Sequence, residues 1–280
     1  MGAVKKLAVL ILLLCWAPVA YAQGGDMEIP LPRPLRNDPG WELVFYDDFD
    51  GTELDLTKWS YNYPWGQTHN HRAYMSAENV RVEDGVLKLV AENRRHPDAP
   101  QTIVHGGETY SLDYTSGVVT TKDKFEFTYG YIEARLKVPA TKGFWPAFWT
   151  LNSEGGWPPE IDIMEILTKE PDVLHINYHY GPSWDRKWSF YQKFTFFDFT
   201  QDFNTFAVKW TPSEMAWYLN DVLIGKKFYE QNWIAQLKDN YILINLAVSG
   251  WGGDPDETTQ WPGVYEIDWV RVWQKQGSDN

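Results

Sequence analysis

The stretch Glu160-Ile161-Asp162-Ile163-Met164-Glu165 places three carboxylates inside an otherwise apolar run of this 280-residue chain. A strand that only filled a core would have no use for them. The β-branched residues and the alternation from Glu160 to Ile163 predict a strand, on which Glu160 and Asp162 share one face. Glu165 falls on the opposite face unless Met164 or a neighbour forms a β-bulge, which sets two residues against one partner and re-aims the side chains that follow. With the bulge, Glu160, Asp162 and Glu165 line one face. Such a row suits glycoside hydrolysis with retention of configuration: one carboxylate attacks the anomeric carbon, and a protonated partner about 5 to 5.5 Å away protonates the leaving oxygen and later activates water. The middle carboxyl can hold a proton, because like charges crowded in a cleft do not all ionise.

The surrounding sequence supplies what a sugar cleft needs, flat apolar rings and a few polar groups. Gly143 to Trp149 reads GFWPAFW, Gly156 to Pro159 reads GWPP directly before Glu160, and His175 and His179 follow. Trp145 and Trp149 lie four apart, so on a strand they share a face with Ala147 and oppose Phe148, which makes them the predicted stacking platforms. Trp157, Trp184, Trp251 and Trp261, in loops rich in Gly, Pro and Asp, are further candidates for sugar contact. Trp41, Trp59, Trp210, Trp217, Trp269 and Trp273, on strand-like runs, are expected in the core.

The elements that must position these groups follow from the rest of the chain. Met1 to Ala22, with Lys5 and Lys6, an apolar run from Leu7 to Trp16 and Ala20-Tyr21-Ala22, is expected to be a secretory signal peptide. The single cysteine, Cys15, lies within it, so no disulfide is expected in the folded domain. No later stretch reaches the ~20 apolar residues of a transmembrane helix. A net charge of −13 argues against nucleic acid or anionic membranes as partners and favours a neutral polymer.

Residues 23–40, with Gly24, Gly25 and four prolines, read as a linker or strap, and residues 41–276 as one domain. Short β-rich runs recur through it, among them Glu42 to Phe49, Phe125 to Val138, Ile161 to Leu167 and Trp188 to Phe197. Glu83-Asp84-Gly85 and Leu219-Asn220-Asp221 are predicted to be tight hairpin turns. Only Glu230 to Lys238 has a helical pattern. The expected fold is all-β, a sandwich or barrel.

Taken together these motifs resemble glycoside hydrolase family 16, whose members carry an E-x-D-x-E or E-x-D-x-x-E strand in a concave jelly roll of two antiparallel sheets. Glu160, Asp162 and Glu165 match the longer form, typical of laminarinase-like members. The resemblance also takes in Phe45 to Gly51, Glu78 to Gly85, Phe127 to Arg135, the Trp-Pro-Ala-Phe-Trp run, Asn245 to Gly250 and Glu266 to Val272. It implies Glu160 as nucleophile, Glu165 as acid/base, Asp162 as the assisting carboxylate, and Trp145, Trp149 and His179 as substrate contacts. Two stretches depart from the family pattern. Asn70 to Tyr74 replaces an acidic N-E-L-Q stretch, and Pro158-Pro159 stands where Ser-Gly is common; both shape the cleft ends, and Asn70 joins the candidate substrate contacts.

The pairs His69/His71 and His175/His179 share strand faces but lack cysteine partners or a third ligand at fixed spacing, so zinc is not expected. The resemblance implies instead a structural Ca²⁺ on the convex side, held by Asp268 and Gly85 with Asp48, against the alternative of a hydrogen-bonded Asp268. No cofactor is expected for the chemistry. Three functions follow as alternatives: a secreted, monomeric, endo-acting retaining hydrolase of β-1,3 or mixed β-1,3/1,4 glucans; an enzyme of the same fold acting on a galactan or exopolysaccharide, or transferring glycosyl units; and a lectin-like module, which would have no reason to keep both Glu160 and Glu165.

Overall fold

In the computed structural model, residues 29–229 and 239–277 are described, and the expected signal peptide and the Glu230 to Lys238 helix lie outside them. The unit Pro32–Asn280 contains two antiparallel eight-stranded sheets. In the first, the strands run Val222–Phe228, Glu214–Leu219, Asn204–Trp210, Gly130–Lys137, Gly263–Lys275, Val86–Ala91 and Val80–Glu83, with Trp41–Asp47 added beside Gly263–Lys275. In the second they run Arg186–Ser189, Val173–Ser183, Glu160–Ile166, Phe144–Asn152, Asn240–Val248, Val118–Thr120 and Ser60–Tyr61, with Gln192–Thr195 on Val173–Ser183. The two sheets face each other as a jelly-roll sandwich.

Alternation along each strand feeds one core between the layers. Phe206, Val208, Trp210, Met215 and Trp217 from the first sheet meet Phe148, Ile161, Met164 and Ile176 from the second, all fully buried. The turns Asp84-Gly85 and Asn220-Asp221 both hold positive φ at their two central residues. That is the twist-matched hairpin geometry, and Gly, Asn and Asp accept it at least cost. Two expectations are corrected. Of Phe125 to Val138 only Gly130–Lys137 is strand, because Tyr129 and Gly130 take positive φ and break the ladder before it. Trp188 to Phe197 holds the end of one short strand, Arg186–Ser189, and the whole of another, Gln192–Thr195. Trp59, Trp210, Trp217 and Trp273 are core residues, whereas Trp41 and Trp269 are only half-buried, Trp269 lying under the Arg271 guanidinium at 3.9 Å.

Candidate active site

The carboxylate row depends on how Glu160–Ile166 pairs with its neighbours. Against Phe144–Asn152, Trp149 faces Asp162 and Phe148 faces Met164, so Ile163 is the extra residue. Against Val173–Ser183, Asp162 faces Asn177 and Glu165 faces His175, so Ile163 and Met164 together oppose Ile176. This is a bulge, and both of its residues are buried in the core at 1% and 0% exposure. One extra core-facing residue returns Glu165 to the face of Glu160 and Asp162. The other sheet braces the spot: the buried Trp217 indole donates to the Asp162 carbonyl at 3.0 Å. Gly225 also lets its strand press close, since a Cβ there would stand 2.7 Å from Ile176 Cδ1.

Indoles hold the two outer carboxylates. Trp157 Nε1 donates to Glu160 Oε2 and Trp145 Nε1 to Glu165 Oε1, each at 3.0 Å. Trp149 Nε1 donates to Asn245 Oδ1 at 2.7 Å, which fixes its ring as part of the floor rather than as a free plate. His179 Nε2 lies 3.5 Å from Glu160 and 3.6 Å from Asp162, while Asn177 and Ser189 each approach one ring nitrogen at 2.8 Å. Burial, then the charge of Lys187, draws His179 down to about 4, so the ring is neutral near pH 7.

All three carboxyls are pushed up. Glu160 rises to about 8, through burial first and then the charge of Glu165, against the opposing Trp157 hydrogen bond. Asp162, between the two, rises well above the ordinary carboxyl value through burial and then both glutamates. Glu165 rises to about 7 through burial, opposed by Trp145. A site this dry does not carry three negative charges near neutral pH. Ligand atoms of Glu160, Asp162 and His179 lie within 4.8 Å of one another. With the carboxyls holding protons and both imidazole nitrogens engaged, that cluster is better suited to proton transfer than to binding a metal ion.

The row floors a cavity of about 270 Å³ that Trp145, Trp149 and His179 also line. It joins, through His69, Trp149 and Glu160, a second cavity of about 530 Å³ reaching Trp65, Trp157 and Tyr241. The other sequence candidates stand differently. Trp184, 71% exposed, lines neither cavity, and Lys187 Nζ sits 5.8 Å from its ring and 4.6 Å from that of Trp157. Asn70 lines neither cavity, and its amide donates to the Val248 carbonyl. Trp261 packs on Tyr114 and Phe144 instead of facing the cleft. Sequence reasoning did not single out His69, Asn177, Asn245 or Trp65 as cleft residues. Asn177 and Asn245 were legible in principle, as polar residues on the same strand faces as His179 and Ala247, whereas His69 and Trp65 sit on loop segments with no periodicity.

The residues considered for calcium converge by register. The strand Gly263–Lys275 is paired on one edge by Val86–Ala91 as far as Ile267 and by Trp41–Asp47 from Val270 onward. Asp268 sits in the gap where these two strands end, with Gly85 and Asp48 flanking it. Arg135 Nη1 donates to Asp268 Oδ2 at 2.6 Å. Asp50 is raised by burial and then by the charges of Asp48, Asp268 and Asp47, while Arg135 and Arg271 bring positive charge to the same carboxylates. Hard oxygen donors of this kind fit Ca²⁺.

A two-sheet sandwich with an E-x-D-x-x-E row on one face, walled by indoles, defines a carbohydrate-active jelly roll. Comparison with known proteins agrees: the profile described as Glycosyl hydrolases family 16 matches residues 67–271, and the chain belongs to that family. It is 30% identical to glucan endo-1,3-beta-glucosidase A1 of Niallia circulans over 85% of this chain, though it spans only 38% of that relative's length. It is 33% identical to a beta-glucanase of Rhodothermus marinus, covering 84% of this chain and 86% of the relative. Among solved structures, an endo-beta-1,3-glucanase of Pyrococcus furiosus superposes with a TM-score of 0.71 at 33% identity, covering 85% of this chain and 96% of that one.

Proposed function

We propose that this protein is an endo-acting, retaining hydrolase of β-glucans containing β-1,3 linkages, secreted after loss of residues 1–22 and active as a monomer. The observation that carries the reading is the bulge at Ile163–Met164, which sets Glu160, Asp162 and Glu165 on one dry cleft floor. Family membership and the β-glucanase relatives support the polymer class. No helix among the described residues is long and apolar enough to cross a membrane.

In this reading Glu160 attacks the anomeric carbon and forms a glycosyl ester, while Glu165 gives its proton to the departing oxygen. Glu165 then takes a proton from water as that water opens the ester. Burial and mutual repulsion raise all three carboxyls, which titrate as one coupled row and do not all ionise together. Attack needs the charge on Glu160 and a proton on Glu165, with Asp162 between them able to hold a further proton. Neutral His179, within reach of both Glu160 and Asp162, orients them without adding charge.

The test is reducing-end release on laminarin, lichenan, agarose, carrageenan and xyloglucan, with the anomer of the first product followed by NMR. Cleavage of laminarin, with or without lichenan, and a β-configured first product are expected. An α first product would mean inversion, with carboxylates more than ~6.5 Å apart; release from agarose or carrageenan alone would move the substrate to galactans.

The same proposal includes a structural Ca²⁺ held by Asp268, Asp48 and Gly85, which would tie the ends of three strands together and leave the chemistry untouched. Adding EGTA should lower Tm by about 2–4 °C, the scale of ~1 kcal/mol in a domain of this size, with recovery on adding Ca²⁺ but not Mg²⁺. An unchanged Tm would mean that Asp268 is held by its arginine partners, Arg135 first, and not by a metal ion.

A further inference from the structure

We infer that Lys187 is a positioning residue for the proposed nucleophile: its ammonium, seated over the Trp157 ring, fixes the indole whose N–H holds Glu160 and so favours the negative charge at that end of the carboxylate row. This rests on the hydrolase reading above.

The row by itself does not distinguish its ends. Glu160 and Glu165 each accept one indole N–H at 3.0 Å, from Trp157 and from Trp145, and burial pushes both carboxyls up. Attack nevertheless needs the charge on one and the proton on the other. The difference lies behind the indoles. Lys187 Nζ stands 4.6 Å from the centroid of the Trp157 ring, close enough to be attracted by the ring face. Behind Glu165, the Trp145 ring meets Trp251 edge-on, at 5.6 Å and 85°, and among the described residues no cation stands over it. Lys169 and Lys193 bring positive charge to that side, but they act on His175, and Lys169 Nζ donates to the Trp251 carbonyl at 2.7 Å.

A hairpin carries Lys187 to this place. Val173–Ser183 pairs with Arg186–Ser189, His179 opposite Ser189 and Tyr180 opposite Trp188. Gly181 holds a φ of 141°, and a Cβ there would stand 2.7 Å from Lys187 Cα, so only glycine lets the Lys187 backbone come this close. Lys187 Nζ also donates to the Trp184 carbonyl at 3.1 Å, which limits where the ammonium can go. At the end of the same strand, Ser189 Oγ meets His179 Nδ1 at 2.8 Å. The hairpin thus touches both rings that border Glu160, Trp157 through Lys187 and His179 through Ser189.

The consequence is electrostatic. A cation on the ring face draws electron density from the indole and makes its N–H a stronger donor. A stronger donor favours the ionised form of the carboxyl that accepts from it, because hydrogen bonds to charged oxygens are the stronger ones. The Trp157 bond is the influence that opposes the rise of Glu160, against burial and the charge of Glu165. The other groups facing Glu160 do not replace it. Asp162 and Glu165 are acidic, His179 is neutral, and Tyr241 is raised to about 12. Lys122 lines the larger cavity with Glu160 but is paired with Asp123 and Glu126, each at 2.9 Å.

The test follows kcat/KM against pH on an aryl β-glycoside, whose leaving group needs no acid, so that the acidic limb reports ionisation at the nucleophile's end of the row. Lys187→Met keeps the aliphatic stem and removes the charge. Lys187 is exposed, so its limb should move to higher pH by about 0.4–0.7 of a unit, and kcat/KM on the acidic side should fall about twofold to fivefold, the scale of an exposed cation–π contact. Activity on the alkaline side should stay near that of the wild type, and Lys187→Arg should restore the limb. In a Trp157→Phe background, where a ring face remains but the N–H is gone, Lys187→Met should leave the limb in place. A uniform loss at every pH with a lower Tm would mean that Lys187 only supports the hairpin. A limb that stays put in Lys187→Met, or one that moves equally in the Trp157→Phe background, would overturn the inference. A wild type that cleaves neither laminarin nor the aryl glycoside removes the hydrolase reading, and this inference with it.

Discussion

Glu160→Gln should lose about four or more orders of magnitude in kcat, the scale on which deletion of a covalent nucleophile acts, and still bind laminari-oligosaccharides with a Kd close to that of the wild type. The reason is local. The Gln carbonyl oxygen can still accept from Trp157 Nε1, so the indole that lines the larger cavity stays where it is. Only the attacking charge is lost. The same variant carries a stability signature whose sign is fixed by burial. The Glu160 carboxyl is raised in the fold from its ordinary 4.5 to about 8, so its stability contribution is full below about pH 4.5 and is lost as pH rises toward the folded value. A Gln cannot ionise and escapes that loss. The variant should therefore gain on the wild type at up to roughly 1.4 kcal/mol per pH unit between about pH 4.5 and 8. Calorimetry at pH 5 and pH 8 reads this as a Tm difference that widens with pH. Turnover within tenfold of wild type, or a Tm gap that closes as pH rises, would remove Glu160 from the role given to it.

Glu165→Ala tests the other end of the row, with an effect of comparable size. On the natural polymer the variant should be nearly inactive, about 10²–10⁴-fold down for want of the proton donor. On an aryl β-glycoside, whose leaving group needs no acid, the glycosyl ester should form and then persist, because nothing activates water. Azide should restore turnover, since it attacks without a general base, and the product should be the β-glycosyl azide. In Glu160→Ala, azide would occupy the nucleophile's own side and yield the α-azide. The two anomers appearing from the opposite variants would exchange the roles of Glu160 and Glu165. Loss of the Trp145 hydrogen bond to Glu165 is a built-in complication, so Trp145→Phe serves as the control: it removes that donor while leaving the carboxyl in place.

How much of this was legible in the chain differs between the strand and its surroundings. Spacing put Glu160 and Asp162 on one face and made Glu165's place there conditional on a bulge; the bulge itself is a matter of how the strand pairs with its two neighbours. The hairpins at Asp84-Gly85 and Asn220-Asp221 were equally local, since positive φ is a property of those residue types. The burial of Trp59, Trp210, Trp217 and Trp273 followed from their strand-like runs. Tertiary structure decided the rest. Trp41 and Trp269 are half-exposed because strand pairing, not residue type, sets which face meets the other sheet. Trp184 and Trp157 sit in similar Gly- and Pro-bearing loops, yet only Trp157 reaches a carboxylate, because its loop leads directly into Glu160. Asp48 and Gly85 come to flank Asp268 only because two strands end at the same gap on a third. The elevation of all three carboxyls, the Trp217 bond to the Asp162 carbonyl and the seating of Lys187 over Trp157 join segments far apart in sequence. Local propensity and period are properties of a few neighbouring residues and can be read from the chain; desolvation and cross-sheet contact exist only after distant strands have packed.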